Sequence, residues 1–251
     1  MLRILTMNVN QYSTRHGPWS ERRRLFTRII REAQPHVVAL QAVRMAPHVG
    51  GGRDQAAQIA DDLGHGWHTT YQIASRLDDG SVEGVAFLAR VPLAGFDVLE
   101  LSRRKEREDP FHRIAVRGEV LTAEGRVQII QTHLSWVREQ LDDNVDELVP
   151  FVDSFPAPKM LVGDMNGTPD SAAMRRVREA GWTDAWARLH PTEPGFTYEA
   201  GRLAKRIDYV WLSDELTGRL REVTVVGEVE PGETARPSDH LGVLATFDIH
   251  V

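Results

Sequence analysis

The sequence predicts an α/β domain in which two β-sheets pack face to face with helices on the outside. Three observations predict it. Strand-like runs alternate with amphipathic helical stretches along the whole chain, with no linker. The strand-like runs fall into two clusters, each interleaved with helices, which suits two sheets rather than one. The runs in the middle of the chain are short and separated by turns, the rhythm of antiparallel pairing.

Taken in order, Leu2–Val9 reads as a strand. Glu21–Gln34 puts Leu25, Phe26, Ile29 and Ile30 on one helical stripe, and Pro35 closes it. His36–Gln41 is an apolar second strand, and Arg53–Leu63 is a helix that stops at Gly64. Tyr71–Ser75, Gly84–Leu88, Leu93–Leu101, Arg113–Leu121 and Val127–Thr132 follow as short strands. Gln140–Phe155 and Ser171–Ala180 return to helix, on either side of a buried strand through Met160, Leu161 and Val162. Tyr209–Ser213, Arg221–Val226 and Gly242–Asp248 close the chain as strands. The expectation is one domain over residues 1–251, which is long enough for a sizeable core.

Composition excludes several classes. The 41% hydrophobic and 26% charged content is that of a soluble globular chain, and no run approaches the roughly 18 apolar residues of a membrane span. With no cysteine, disulfides, thiolate metal sites and a cysteine nucleophile are ruled out. The first residues lack the basic and apolar regions of a secretory signal, so a cytoplasmic monomer is the default expectation. A net charge of −6 argues against broad wrapping of nucleic acid but leaves room for a basic groove. Candidate basic clusters are Arg22-Arg23-Arg24, Arg103-Arg104-Lys105 and Arg175-Arg176 with Arg178.

The stretch "KMLVGDMNGTP" carries the chemistry. If its strand continues, Asp164 and Asn166 project from one face, Gly163 allows a close approach, and Gly167 with Pro169 forces a turn. Other polar residues also sit at ends of apolar runs: Asn8, Gln41, His133, Asp208, Asp239 and His240. Each alone has a structural explanation, as a turn, a cap or a core histidine. As a set without cysteine they suit a hard cation such as Mg²⁺ or Mn²⁺ and a phosphate ester.

The ordered set Asn8, Gln41, Thr132-His133, Gly163-Asp164-Met165-Asn166, Arg206-Ile207-Asp208-Tyr209 and Ser238-Asp239-His240 resembles the endonuclease/exonuclease/phosphatase superfamily, which includes DNase I and the exonuclease III-type nucleases. The resemblance runs from Asn8 to His240 in the family's order. It implies a four-layer α/β/β/α sandwich of two mixed sheets with outer helices, and a metal-dependent phosphodiesterase, most naturally a nuclease. Under it Asp164 activates the attacking water and Asn166 holds that water or a phosphate oxygen. His240 contacts the phosphate, Asp208 orients His240, and His133 contacts a phosphate oxygen or assists the leaving group. Asn8 and Asp239 lie at the Mg²⁺ or Mn²⁺.

Ala42 breaks the pattern. In "VVALQAVR" the family nearly always reads Leu-Gln-Glu, and that glutamate is its principal metal ligand. Position 42 therefore reads as a Glu-to-Ala inactivated variant of the family pattern, and weak Mg²⁺ binding and poor turnover are expected. The competing reading is a catalytically silent member that only binds a phosphorylated ligand or partner.

For substrate, Gln41-Ala42-Val43-Arg44 is similar to a DNase I pattern whose arginine touches a phosphate, and residues 181–213 resemble the exonuclease III region. Nucleic acid is the expected partner, with Arg44, Arg113, Phe196, Tyr198 and the segment Arg103–Arg107 in contact with it. A phosphatase or a phospholipid or small-molecule phosphodiesterase is the alternative. Lys205 and the short segment 199–205 argue against abasic-site specificity, and Arg206-Ile207-Asp208-Tyr209 departs from the Trp-x-Asp-Arg of inositol phosphatases.

Overall fold

The structure, a computed structural model, describes residues 1–104, 108–199, 202–229 and 232–251. Its elements are β1 (Leu2–Asn8), α1 (Trp19–Ala33), β2 (Val37–Met45), α2 (Gln55–Leu63), β3 (His68–Arg76), β4 (Val82–Ala89), β5 (Leu93–Leu101), β6 (Arg113–Thr122) and β7 (Gly125–His133). There follow α3 (Arg138–Asp153), β8 (Lys159–Asp164), α4 (Ala172–Glu179), β9 (Thr183–Asp184), α5 (Ala185–Leu189), β10 (Asp208–Leu212), α6 (Asp214–Thr217), β11 (Leu220–Val226) and β12 (Gly242–Phe247).

The strands form two six-stranded sheets, in the orders β11-β12-β1-β2-β4-β3 and β5-β6-β7-β8-β10-β9. Both are mixed. β1 and β2 are parallel, as are β7 and β8, while the other neighbours run antiparallel.

Strand alternation explains the four layers. On β1, Leu2 and Ile4 join Val37, Phe87, Ile129, Met160 and Val162 in the core between the sheets. Leu5 and Met7 face the other way, against Phe26, Ile29 and Ile30 of α1 and Ile59 of α2. On the far side, Ile130 and Leu161 pack under Leu141, Val145 and Leu148 of α3 and Met174 and Val177 of α4. The two sheets thus share one core, and each carries its own helices outside. The predicted sandwich is the observed one.

The helix ends follow local chemistry. α1 stops at Gln34 in the left-handed region (φ 44°), whose N–H bonds Ile30 O, before Pro35. α2 and α4 begin at Asp54 and Ser171, whose side chains accept from the N–H groups of Ala57 and Met174.

Two local readings are corrected. β2 does not end at Gln41 but runs to Met45 through a bulge between Leu40 and Val43, where Ala42 adopts φ 51°. Gln41 is therefore a core residue, fully buried, donating to Thr6 Oγ1 and Ala39 O. β8 in turn ends at Asp164, and Asn166 lies beyond it at φ 50°, so no strand alternation places the two together.

Candidate active site

One end of the sandwich collects the strand termini. β1, β7 and β8 finish there with Asn8, His133 and Asp164, and β10 begins there with Asp208. The register holds them level: His133 is opposite Asp164, and Asp164 is opposite Asp208. Asp239 and His240 precede β12, and Glu83 and Arg113 open β4 and β6. A cleft of about 830 Å³ opens here, lined by Asn8, Ala42, Glu83, Arg113, His133, Asp164, Asn166, Tyr198, Asp239 and His240 among others.

Gly163 makes the close approach possible. It sits at φ 135°, and a Cβ there would lie 2.0 Å from Thr132 O on the neighbouring parallel strand. Asn166 reaches the cleft through the turn. Its N–H bonds Asp164 Oδ1 at 3.0 Å, and its Nδ2 donates to Leu134 O at 2.8 Å.

Asp164 is the hub. Its Oδ2 accepts from Asn8 Nδ2 at 2.8 Å and lies 3.4 Å from His133 Nε2 and 3.6 Å from His240 Nε2. His240 Nδ1 is 2.9 Å from Asp208 Oδ2, which also accepts from Thr197 Oγ1 at 2.6 Å. Tyr198 packs against the His240 ring, centroids 4.8 Å apart.

Burial and charge then set the protonation states. Asp164 is pushed up to about 6 by burial, with Asp208 adding to the rise and the His240 charge opposing it. Burial pulls His240 down, but Asp208, Asp164 and Asp239 outweigh it and raise it to about 10. Burial, aided by the charges of Arg113 and His240, drives His133 well below the ordinary histidine range. At neutral pH the site therefore pairs a carboxylate with one imidazolium and one neutral imidazole.

Glu83 is a functional candidate that sequence reasoning missed. It is 2% exposed, and burial pushes it up to about 7 against the pull of Arg113. The available signal was a carboxylate inside a strand whose every other residue is apolar or glycine, "VEGVAFLA". Arg22, a member of a candidate basic cluster, is fully buried. It donates to the carbonyls of Val9, Gln11, Ser13 and Pro237, tying down the loops that follow Asn8 and precede Asp239.

Not every expected contact residue reaches the cleft. Arg113 lines it, but its guanidinium is held by both Asp109 oxygens at 2.9 and 3.2 Å. Arg44 points elsewhere, bonded to Gln11, Asp79 and Ser81. Phe196 is half-exposed outside the lining, whereas Tyr198 belongs to it. Arg103 donates to Asp109 O and Arg104 pairs with Asp143, both away from the cleft. Lys105 and Arg107 lie outside the described residues. Arg206 pairs with Asp184.

The endonuclease/exonuclease/phosphatase family model matches residues 5–240. The chain belongs to that family. Among solved structures, a family member from Beutenbergia cavernae is 26% identical, with a TM-score of 0.80 over 97% of this chain and 70% of that one. A family protein from Leptotrichia buccalis is 19% identical with a TM-score of 0.79, over 99% of this chain and 100% of that one. D. rerio TDP2 complexed with a single-strand DNA product is 18% identical, with a TM-score of 0.75 over 98% of both chains. A search of curated proteins found no match. The superfamily consists mainly of metal-dependent phosphoesterases. Among the described residues, no helix is long and apolar enough to cross a membrane.

Oxygen donors at the cleft suit a divalent cation in kind. Asp239 is partly open to it, and Asn8 Oδ1 accepts from Asn10 N–H but keeps a second lone pair. Asp164, Asp208 and His240 also bring atoms within 4.8 Å of one another. Within that trio His240 Nδ1 and Asp208 Oδ2 already lie 2.9 Å apart, a hydrogen bond that a cation seated between them would replace.

Proposed function

We propose that the chain is a divalent-metal-dependent phosphodiester hydrolase that acts as a nuclease by direct attack of water. The observation that carries this is the Asp164 carboxylate, held by Asn8 at 2.8 Å and set 3.4 Å from His133 Nε2 and 3.6 Å from His240 Nε2. Above pH of about 6 Asp164 is ionised and takes a proton from water held beside Asn166. His240 presents its charged Nε2–H to a phosphate oxygen, and Asp208 on Nδ1 fixes the ring and its charge. His133, neutral, contacts a phosphate oxygen or the departing one. Mg²⁺ or Mn²⁺ held by Asn8 and Asp239 would polarise the phosphoryl group and neutralise the leaving oxygen.

The rim favours a nucleic-acid strand. Trp136 is 51% exposed at the cleft wall, with Tyr198 and Phe111 on the same lining. Arg138, Arg175 and Lys205 also line it, and none of them makes an ion pair among the described residues. Rings beside cations that make no ion pair suit stacked bases and a phosphate backbone. The single-strand DNA bound by the TDP2 neighbour supports this choice. The silent-member reading rests on Ala42 alone.

The test is Mg²⁺- or Mn²⁺-dependent cleavage of bis-p-nitrophenyl phosphate, then of single-stranded and plasmid DNA. Asp164→Ala or His240→Ala, still folded, should lower turnover by at least about 10²-fold. Near-full activity in either removes that residue from the mechanism.

A further inference from the structure

We propose that Glu83 supplies the carboxylate ligand of the divalent cation from β4, in place of the side chain that Ala42 lacks on β2. This rests on the metal-dependent reading above, and it begins from an anomaly in the structure. Buried carboxylates are almost always hydrogen-bonded, because leaving one bare in a low-dielectric interior is expensive. Glu83 is 2% exposed and no described residue donates a hydrogen bond to its carboxylate, whose oxygens are not sealed in the interior but open to the cleft. The neighbouring imidazole, His133 Nδ1, is 3.8 Å away, beyond hydrogen-bond reach, and is itself unpartnered.

The cations that could neutralise Glu83 are engaged elsewhere. Arg113 gives its fork to Asp109. Arg44, which faces Glu83 in the β2–β4 register, is held by Asp79, Ser81 and Gln11. What remains open to Glu83 is the cleft, whose lining it shares with Asn8, Ala42 and Asp239.

The backbone makes the exchange between strands reasonable. β2 and β4 are hydrogen-bonded neighbours, and the bulge at Ala42 interrupts their pairing just before Val43 meets Gly84. Glu83 stands opposite Arg44, two residues past Ala42 on the neighbouring strand, and Ala42 and Glu83 both line the cleft. A methyl leaves room that a longer side chain there would fill. A hard cation needs charged oxygen, and Glu83 adds a second carboxylate to the Asp239 and Asn8 oxygens assigned to the cation on the same cleft lining. On this assignment the change at position 42 is compensated, and the chain is not inactivated by it.

The experiment is Mn²⁺ binding to metal-free protein, followed by electron paramagnetic resonance of the free ion and by the Mn²⁺-induced rise in melting temperature. Wild type is expected to hold Mn²⁺ at one site. Glu83→Gln should weaken binding at least about tenfold, since even outer-shell partners of metal ligands cost 10–100-fold. It should also abolish the melting shift. Ala42→Glu introduced into Glu83→Gln should restore both. If Glu83→Gln does not fold, Glu83→Asp, which withdraws the oxygens by one methylene, is read in the same way. Equal Mn²⁺ affinity in wild type and the Glu83 variant overturns the assignment while leaving metal dependence standing, and makes Glu83 an orienting partner of His133. A wild type that binds no Mn²⁺ removes the metal reading and this one together.

Discussion

Asp208→Asn isolates the charge on His240. The substitution keeps the shape of the side chain and an oxygen for Thr197, but removes the carboxylate 2.9 Å from His240 Nδ1. In the native site His240 is raised to about 10, although burial by itself pulls it down, and Asp208 is the foremost of the carboxylates that reverse the pull. Without Asp208 the ring should fall from about 10 towards the ordinary value of about 6.5, at which only about 3% would be protonated at pH 8. If the imidazolium is what meets the phosphate, turnover at pH 8 drops by up to about 30-fold from protonation alone.

The assay is the pH–rate profile of metal-dependent bis-p-nitrophenyl phosphate hydrolysis. Wild type should rise through about pH 6 as Asp164 ionises and decline near pH 10 as His240 loses its proton. The variant should keep the acid limb near its place and lose the alkaline plateau. Stability has the same sign. A histidine raised on folding stabilises fully below its unfolded value, and that contribution disappears as pH rises through about 10. The variant should lack this alkaline loss, besides a general cost of about 3–5 kcal/mol for breaking a buried pair. A folded Asp208→Asn protein whose alkaline limb stays near pH 10 would refute the reasoning, because the charge would then be held by something else.

Other outcomes follow from the same geometry. Arg22→Ala strands buried carbonyls of Val9, Gln11, Ser13 and Pro237, each costing about 1–3 kcal/mol, so the urea midpoint should fall sharply. An unchanged midpoint would show that water satisfies those groups. Gly163→Ala drives a Cβ against Thr132 O and should cost more than about 2 kcal/mol, with activity falling beyond what unfolding explains as β7 and β8 part. Retained activity and stability would mean that the strands can separate without disturbing His133 and Asp164. Replacing Arg138, Arg175 and Lys205 together by Gln should weaken single-stranded DNA binding and flatten its log–log salt slope by about 0.7 for each phosphate that is no longer neutralised. An unaltered slope would return those side chains to ordinary surface.

Much of the protein was legible because its determinants are local. The alternation of β1, with Leu2 and Ile4 on one face and Leu5 and Met7 on the other, already demands a layer on each side of the strand. Asn8, His133, Asp164, Asp208 and His240 stand out because polar groups that end apolar runs are rare and appear here in a family order. What the chain could not reveal by itself depends on pairing across sheets. Gln41 and Ala42 look alike as strand-end residues until the bulge against β4 sends one into the core and turns the other to the cleft. Arg44 and Arg113 carry the same charge in the sequence, yet Asp79 and Ser81 hold the first away while Asp109 pins the second beside the site. Glu83 is one acidic letter in an apolar strand, and its meaning comes from burial without a hydrogen-bond donor at a cleft whose lining it shares with Ala42. Periodicity reports which face of an element is buried. Partners far away in sequence decide what a buried charge meets there, and they come together only when the two sheets close on one another.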